Sequence, residues 1–164
     1  MKVDRCFAIR CSVLLSLLVF SNYTIAQSKN TKYACIEQNP AQLCNASNTC
    51  GTASTPCTVD VKRTSNAASS TASIPNAKSN ALFCVKAGTT VTWISTGKDI
   101  GFVVDVGTSS PFEPPGAIIG GSGRSVVVVA MKAGCYKYSA GACMSGATYG
   151  MCGDTKAEFI VTGN

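Results

Sequence analysis

The stretch ALFCVKAGTTVTWIS, residues 81–95, decides the fold class of this chain. It holds two short apolar runs that are separated by an Ala-Gly pair at 87–88. In the second run, threonines alternate with Val91 and Trp93. A period of two is typical of a half-buried β-strand. The stretch therefore predicts two consecutive strands joined by a turn.

The chain after this stretch continues with strand-like runs that are rich in β-branched and aromatic residues. These runs are GFVVDV at 101–106, SVVVVAM at 125–131, GCYKYS at 134–139 and AEFIVTG at 157–163. Glycine and proline clusters lie between some of them, and the best helix signal is a turn or two near Asn39 to Leu43. Short strands with turn signals and no helical period predict an all-β sandwich over residues 81–164.

The N-terminal residues 1–26 have the pattern of a secretory signal peptide. Lys2, Arg5 and Arg10 precede a short apolar run, and the small residue Ala26 fits a cleavage site. The apolar run is too short for a comfortable membrane span. We expect cleavage after Ala26, a secreted or periplasmic location, and no stable membrane insertion of the remaining chain.

Cysteine is the most informative residue type in the rest of the chain. The candidates for disulfide bonds are Cys35, Cys44, Cys50, Cys57, Cys84, Cys135, Cys143 and Cys152. An even number of cysteines behind a signal peptide predicts an oxidising compartment and up to four disulfides, but not their connectivity. A zinc site is disfavoured because the chain has no histidine and no C-x-x-C pair.

The segment before the predicted sandwich divides into two parts. Residues 27–63 hold four cysteines and few large apolar residues, which predicts an extension held by disulfides. Residues 64–80 are rich in Ser, Ala, Thr and Asn, which predicts a linker or long surface loop. Asn45 begins an Asn-Ala-Ser sequence that matches a glycosylation site of a eukaryotic secretory pathway.

Five motifs follow one another in order within the predicted sandwich. They are F-x-V-x-x-G-x-T-V-T-W at 83–93, Asp105 after a valine strand, Ser-Pro-Phe at 110–112, G-x-Y-x-Y at 134–138 and G-M-x-G at 150–153. The ordered set, spread over about half of the chain, resembles the cupredoxin family, the fold of plastocyanins and related blue-copper proteins. The resemblance implies a Greek-key β-sandwich, and the cysteine-rich N-terminal extension precedes it in the chain.

The cupredoxin resemblance also implies where copper ligands would lie. A blue-copper site uses two histidines, one cysteine thiolate and usually a weak axial methionine. The resemblance places the first histidine at Ile100 or Gly101, and neither side chain binds a metal. Because the whole chain lacks histidine, we expect no type 1 copper site.

The remaining ligand positions lie in the loop CMSGATYGMCG, residues 143–153. One alignment with the family puts Cys143 at the thiolate and Gly146 at the second histidine. The other puts Ala140 at the thiolate and Cys143 at the second histidine. Both alignments place Met151 at the axial ligand, and the sequence does not choose between them.

The sulfur atoms of this loop allow two interpretations. In the first, Cys143 forms a disulfide with Cys135 or Cys152, and no metal or other cofactor is bound. In the second, Cys143, Met144, Met151 and Cys152 form a soft Cu(I) site, since thiolates and thioethers favour Cu(I). The second interpretation requires at least one reduced cysteine.

Other function classes find little support in the sequence. No histidine is available as a general base, and neither a G-x-S-x-G nor a Walker-type motif occurs. The net charge of +6 comes from scattered basic residues, which does not indicate nucleic-acid binding. We expect an exported, non-catalytic binding or structural module with a protein or other extracellular partner. The alternative is a copper-binding protein in copper handling or electron transfer.

Overall fold

The protein, described by a computed structural model over residues 31–65, 67–121, 123–144 and 152–163, is an all-β sandwich. This architecture confirms the predicted fold class. The predicted signal peptide, residues 1–26, and the central part of the loop, residues 145–151, lie outside the described residues.

The described residues form ten strands and two short 3-10 helices. The strands are β1 (Cys57–Thr64), β2 (Ala67–Ala72), β3 (Phe83–Lys86), β4 (Thr90–Ile94), β5 (Ile100–Asp105), β6 (Phe112–Glu113), β7 (Ile118–Gly121), β8 (Val126–Ala130), β9 (Gly134–Met144) and β10 (Cys152–Thr162). The 3-10 helices span Thr31–Ile36 and Pro40–Leu43, and the second of them is the helical turn predicted after Asn39. The Ala-Gly pair separates β3 from β4, with Gly88 at a φ of +84° that favours glycine.

The strands form two sheets that face each other. The first sheet has the order β6-β8-β4-β1-β2, and the second has the order β3-β10-β9-β5-β7. Among the described residues, the pair Asp154 with Ala67 joins β10 to β2, so the hydrogen-bonded path is continuous although the layers are two. Side chains on the inner faces alternate with outward-facing side chains, as in other sandwiches.

Aromatic rings fill the space between the two sheets. Phe159 on β10 is completely buried, and its ring stacks on Phe83 at 5.4 Å and on Phe112 at 5.3 Å between centroids. Trp93 is also completely buried and meets Tyr138 edge to face at 5.6 Å. The rings come from both sheets and therefore hold the layers together.

The N-terminal segment covers part of the outer face of the second sheet. Disulfides join Cys35 to Cys135 and Cys44 to Cys84, and a third joins Cys50 to Cys57. Beneath the segment lies a second, smaller apolar cluster whose buried members are Ala34, Leu82, Cys84 and Ile160. These three disulfides involve six of the eight candidate cysteines, and the first two attach the extension to β9 and β3.

The first sheet includes residues that the sequence analysis placed outside the sandwich. Strand β1 overlaps the predicted extension, and β2 lies within the predicted linker, residues 64–80. The buried side chains of β2 are small, Ala68, Ser69, Ser70 and Ala72. A strand that consists of small and polar side chains shows no apolar alternation, so its sequence resembles that of a loop.

Candidate functional site

Those positions implied for copper ligands that the structure describes at 100–101 and 143 meet at one end of the second sheet. Strand β5 begins at Ile100, and strand β9 ends at Met144. These two residues are paired in the ladder, and Gly101 is paired with Cys143. The two segments that the cupredoxin resemblance assigned to metal ligands are therefore neighbours in space.

Cys143 is disulfide-bonded and does not titrate as a thiol. Of the two partners that the sequence offered, Cys135 is already bonded to Cys35. Cys152 lies directly opposite Cys143 in the ladder between β9 and β10. Cross-strand neighbours are close enough to be bridged, so the register favours Cys152 as the partner.

The other proposed sulfur ligands are only partly described. Met144 is half-exposed at the end of β9, whereas Met151 lies outside the described residues. Ala140, the thiolate position in the second alignment, is completely buried. No group of three or more His, Cys, Asp or Glu side chains that could hold a metal ion occurs within the described part of the chain.

A groove of about 480 Å³ lies elsewhere on the second sheet. We name it the lysine groove, and its lining residues are Asp105, Lys137, Tyr138, Ser139, Lys156, Ala157 and Glu158. Three of these, Asp105, Ser139 and Lys156, form one row across β5, β9 and β10. Directly paired residues share a face of the sheet, and because Asp105 and Lys156 are exposed, this row lies on the outer face.

The second row of the lysine groove is the pair Lys137 and Glu158. Glu158 is 4% exposed, and its Oε2 accepts a hydrogen bond of 3.2 Å from the backbone N–H of Cys35. The extension therefore holds this carboxylate of the groove in place. Asp105 and Glu158 are far apart in the sequence, and the fold brings them into one groove.

The lysine groove was missed at the sequence level. Its signal was present in the runs K-Y-S at 137–139 and K-A-E at 156–158, where polar residues flank a buried one. That alternation predicts a polar outer face on each strand. The sequence did not show that β9 and β10 are paired over most of their length, which places the two polar rows side by side.

Tyr138 separates the groove from the core. Its hydroxyl lies 2.6 Å from the hydroxyl of Ser70 on β2, which links the two sheets. Burial raises the pKa of Tyr138 to about 12, while the Ser70 hydrogen bond lowers it. Because the unfolded chain releases this proton near pH 10, the stability that depends on neutral Tyr138 is complete below pH 10 and falls as the pH rises towards 12.

The possible glycosylation site lies on the extension. Asn45 is exposed, and its Oδ1 accepts hydrogen bonds from the backbone N–H and the hydroxyl of Ser47, at 2.9 and 2.5 Å. The amide is accessible, and glycosylation of Asn45 stays a prediction.

Neither the known protein-family models nor the curated proteins give a match to this chain. The three disulfides indicate a protein of an oxidising environment. No helix among the described residues is long and apolar enough to cross a membrane.

Proposed function

We propose that this chain is an exported, disulfide-stabilised, cupredoxin-like protein that acts as a non-catalytic binding module without a type 1 copper site. The observation that carries this proposal is the pairing of Gly101 with a disulfide-bonded Cys143. A glycine stands where the first histidine would be, and a disulfide sulfur stands in the ligand loop.

The relation to cupredoxins is supported by the arrangement of the two ligand segments. The start of β5 and the end of β9 are adjacent strands of one sheet in a two-sheet sandwich. These are the two segments that the family uses to hold copper, according to the sequence resemblance. A shared fold does not carry a shared function, so the chemistry of the residues decides.

The chemistry of this end of the sheet argues against ordinary copper binding. Imidazole nitrogens help to hold Cu(II), and the chain has no histidine. A cysteine thiolate would be the strong soft ligand of a copper site. Cys143 offers no thiolate because it is disulfide-bonded. Met144 and Met151 would remain as thioethers, which are weak ligands without a thiolate or imidazole beside them.

A binding role is supported by the lysine groove and by the state of its carboxylates. Asp105 Oδ1 accepts a hydrogen bond of 2.8 Å from the backbone N–H of Gly107, and Glu158 accepts one from Cys35. Both carboxylates therefore have structural partners, which does not favour a role as general base. A rigid groove on a disulfide-bonded sheet suits the recognition of a partner or ligand.

A copper titration tests the proposed function. The purified, oxidised protein is titrated with Cu(II), followed by visible absorption, and with Cu(I) against a competing chelator. We expect no stoichiometric binding and no intense blue absorption, because neither imidazole nor thiolate is available. The same titrations of Met144→Ala serve as the control for weak thioether binding at the exposed end of β9.

Two outcomes of the titration would contradict the proposal. One equivalent of copper bound by the oxidised protein would show a site that the described residues do not explain. One equivalent of Cu(I) bound tightly after disulfide reduction, and weakened in Met144→Ala, would instead favour the copper-handling alternative.

A further inference from the structure

We infer that the lysine groove binds the carboxylate group of a small ligand. This inference rests on the proposed function as a binding module and names the ligand class of that module. A cavity of about 480 Å³ lies within the usual range for small-molecule sites. The groove is therefore large enough for a ligand that is bigger than the carboxylate itself.

Each carboxylate of the groove already accepts a hydrogen bond from the backbone of this chain. The Asp105 carboxylate accepts the N–H of Gly107, and the Glu158 carboxylate accepts the N–H of Cys35. Glu158 is buried beneath the extension and is fixed by this contact. Glu158 consequently belongs to the wall of the groove and is poorly placed to receive a donor from a ligand.

The donors of the groove are not used. The side chains of Lys137, Ser139 and Lys156 form no hydrogen bond or ion pair with the part of the chain that the structure describes. Two ammonium groups and one hydroxyl therefore remain available to a ligand. Two cationic donors and a hydroxyl without partners favour a ligand that supplies acceptors.

The positions of the lysines favour an anion between them. Lys137 and Lys156 lie on adjacent strands, on the same face and one pair apart, because Lys137 is paired with Glu158 and Lys156 with Ser139. Such diagonal neighbours are about 7–8 Å apart at the backbone, within reach of long side chains. An anion held by both lysines gains charge-assisted hydrogen bonds and relieves their mutual repulsion.

A carboxylate fits this groove better than a phosphate. Asp105 and Glu158 bring two negative charges to the same walls as the two lysines. A dianionic phosphate would add more repulsion from these carboxylates than a single carboxylate would. The Ser139 hydroxyl, half-buried between the lysines, can donate a third hydrogen bond to a carboxylate oxygen.

Titration with benzoate tests this inference, with benzamide as the uncharged isostere and inorganic phosphate as the competing anion. Binding to the full oxidised protein is followed by calorimetry and by NMR shifts. We expect benzoate to bind at millimolar concentration and benzamide and phosphate to bind more weakly. Lys137→Met and Lys156→Met keep the aliphatic stem, and each should weaken benzoate binding by about tenfold, since each loses one charge-assisted hydrogen bond.

The matched control for these variants is Lys62→Met, because Lys62 lies on β1 and pairs with Asp60. We expect this variant to bind benzoate like the wild type. The inference is overturned if benzoate does not bind, if benzamide or phosphate binds as well as benzoate, or if the three methionine variants behave alike. The copper titration is independent of this result, so a failure of the groove is distinguishable from a failure of the proposed function.

Discussion

Replacing Cys35 and Cys135 together by alanine is expected to lower the free energy of unfolding by about 4 kcal/mol. The bridge joins residues 100 apart in sequence, so it restricts the unfolded chain over a long loop. It also attaches the extension above the small apolar cluster around Leu82 and Ile160. For a domain of this size, thermal unfolding should shift downwards by about 10–15 °C.

The variant Cys50→Ala with Cys57→Ala is the control for this experiment. Its bridge spans only 7 residues and does not attach the extension to the second sheet. Limited proteolysis separates the two effects, since cleavage before Cys44 should accelerate in the Cys35/Cys135 variant and not in the control. An unchanged melting temperature together with a protected extension would contradict the assigned role of this bridge.

Replacing Phe159 by alanine is expected to be at least as damaging, with a loss of about 4–5 kcal/mol in the free energy of unfolding. Its ring is completely buried and lies 5.3–5.7 Å from four other aromatic rings. Truncation would leave a large cavity where the two sheets meet, and it would remove several ring contacts at once. Urea-induced unfolding, followed by tryptophan fluorescence, measures the loss.

Two further variants make the Phe159 experiment interpretable. Phe159→Leu keeps most of the volume and should cost about 1–2 kcal/mol, which remains measurable if the alanine variant does not fold. Val127→Ala, at a side chain that is 56% exposed on β8, should cost no more than about 0.5 kcal/mol. If Phe159→Ala cost no more than Val127→Ala, the aromatic cluster would not be the centre of the core.

Much of the sandwich was predictable because its central strands have strong local signals. Threonines alternate with Val91 and Trp93 in the sequence, and the structure places these two side chains in the core on β4. The valine-rich run at 125–131 is also a strand, with β4 and β6 as its neighbours. In these elements, local pattern and tertiary packing agree.

Strands β1 and β2 and the lysine groove were not predictable from local sequence patterns. In β1, Cys57, Val59 and Val61 alternate with polar residues, but the surrounding cysteines and serines concealed that pattern. The partners of β2 come from β1 and β10, and no local signal reports such long-range pairing. The lysine groove exists only because β5, β9 and β10 lie side by side, which is a property of the topology.

We expect the segment that corresponds to a copper loop to be closed by a disulfide between Cys143, which is disulfide-bonded, and Cys152, which lies opposite it in the ladder. The most direct measurement is the mass of the tryptic peptide 138–156, which contains these two cysteines and no others. From the unreduced protein, we expect this peptide to be lighter by two hydrogens than its reduced form and to resist alkylation until it is reduced. Alkylation of Cys143 in the native, unreduced protein would contradict the claim and restore the thiolate that a copper site requires.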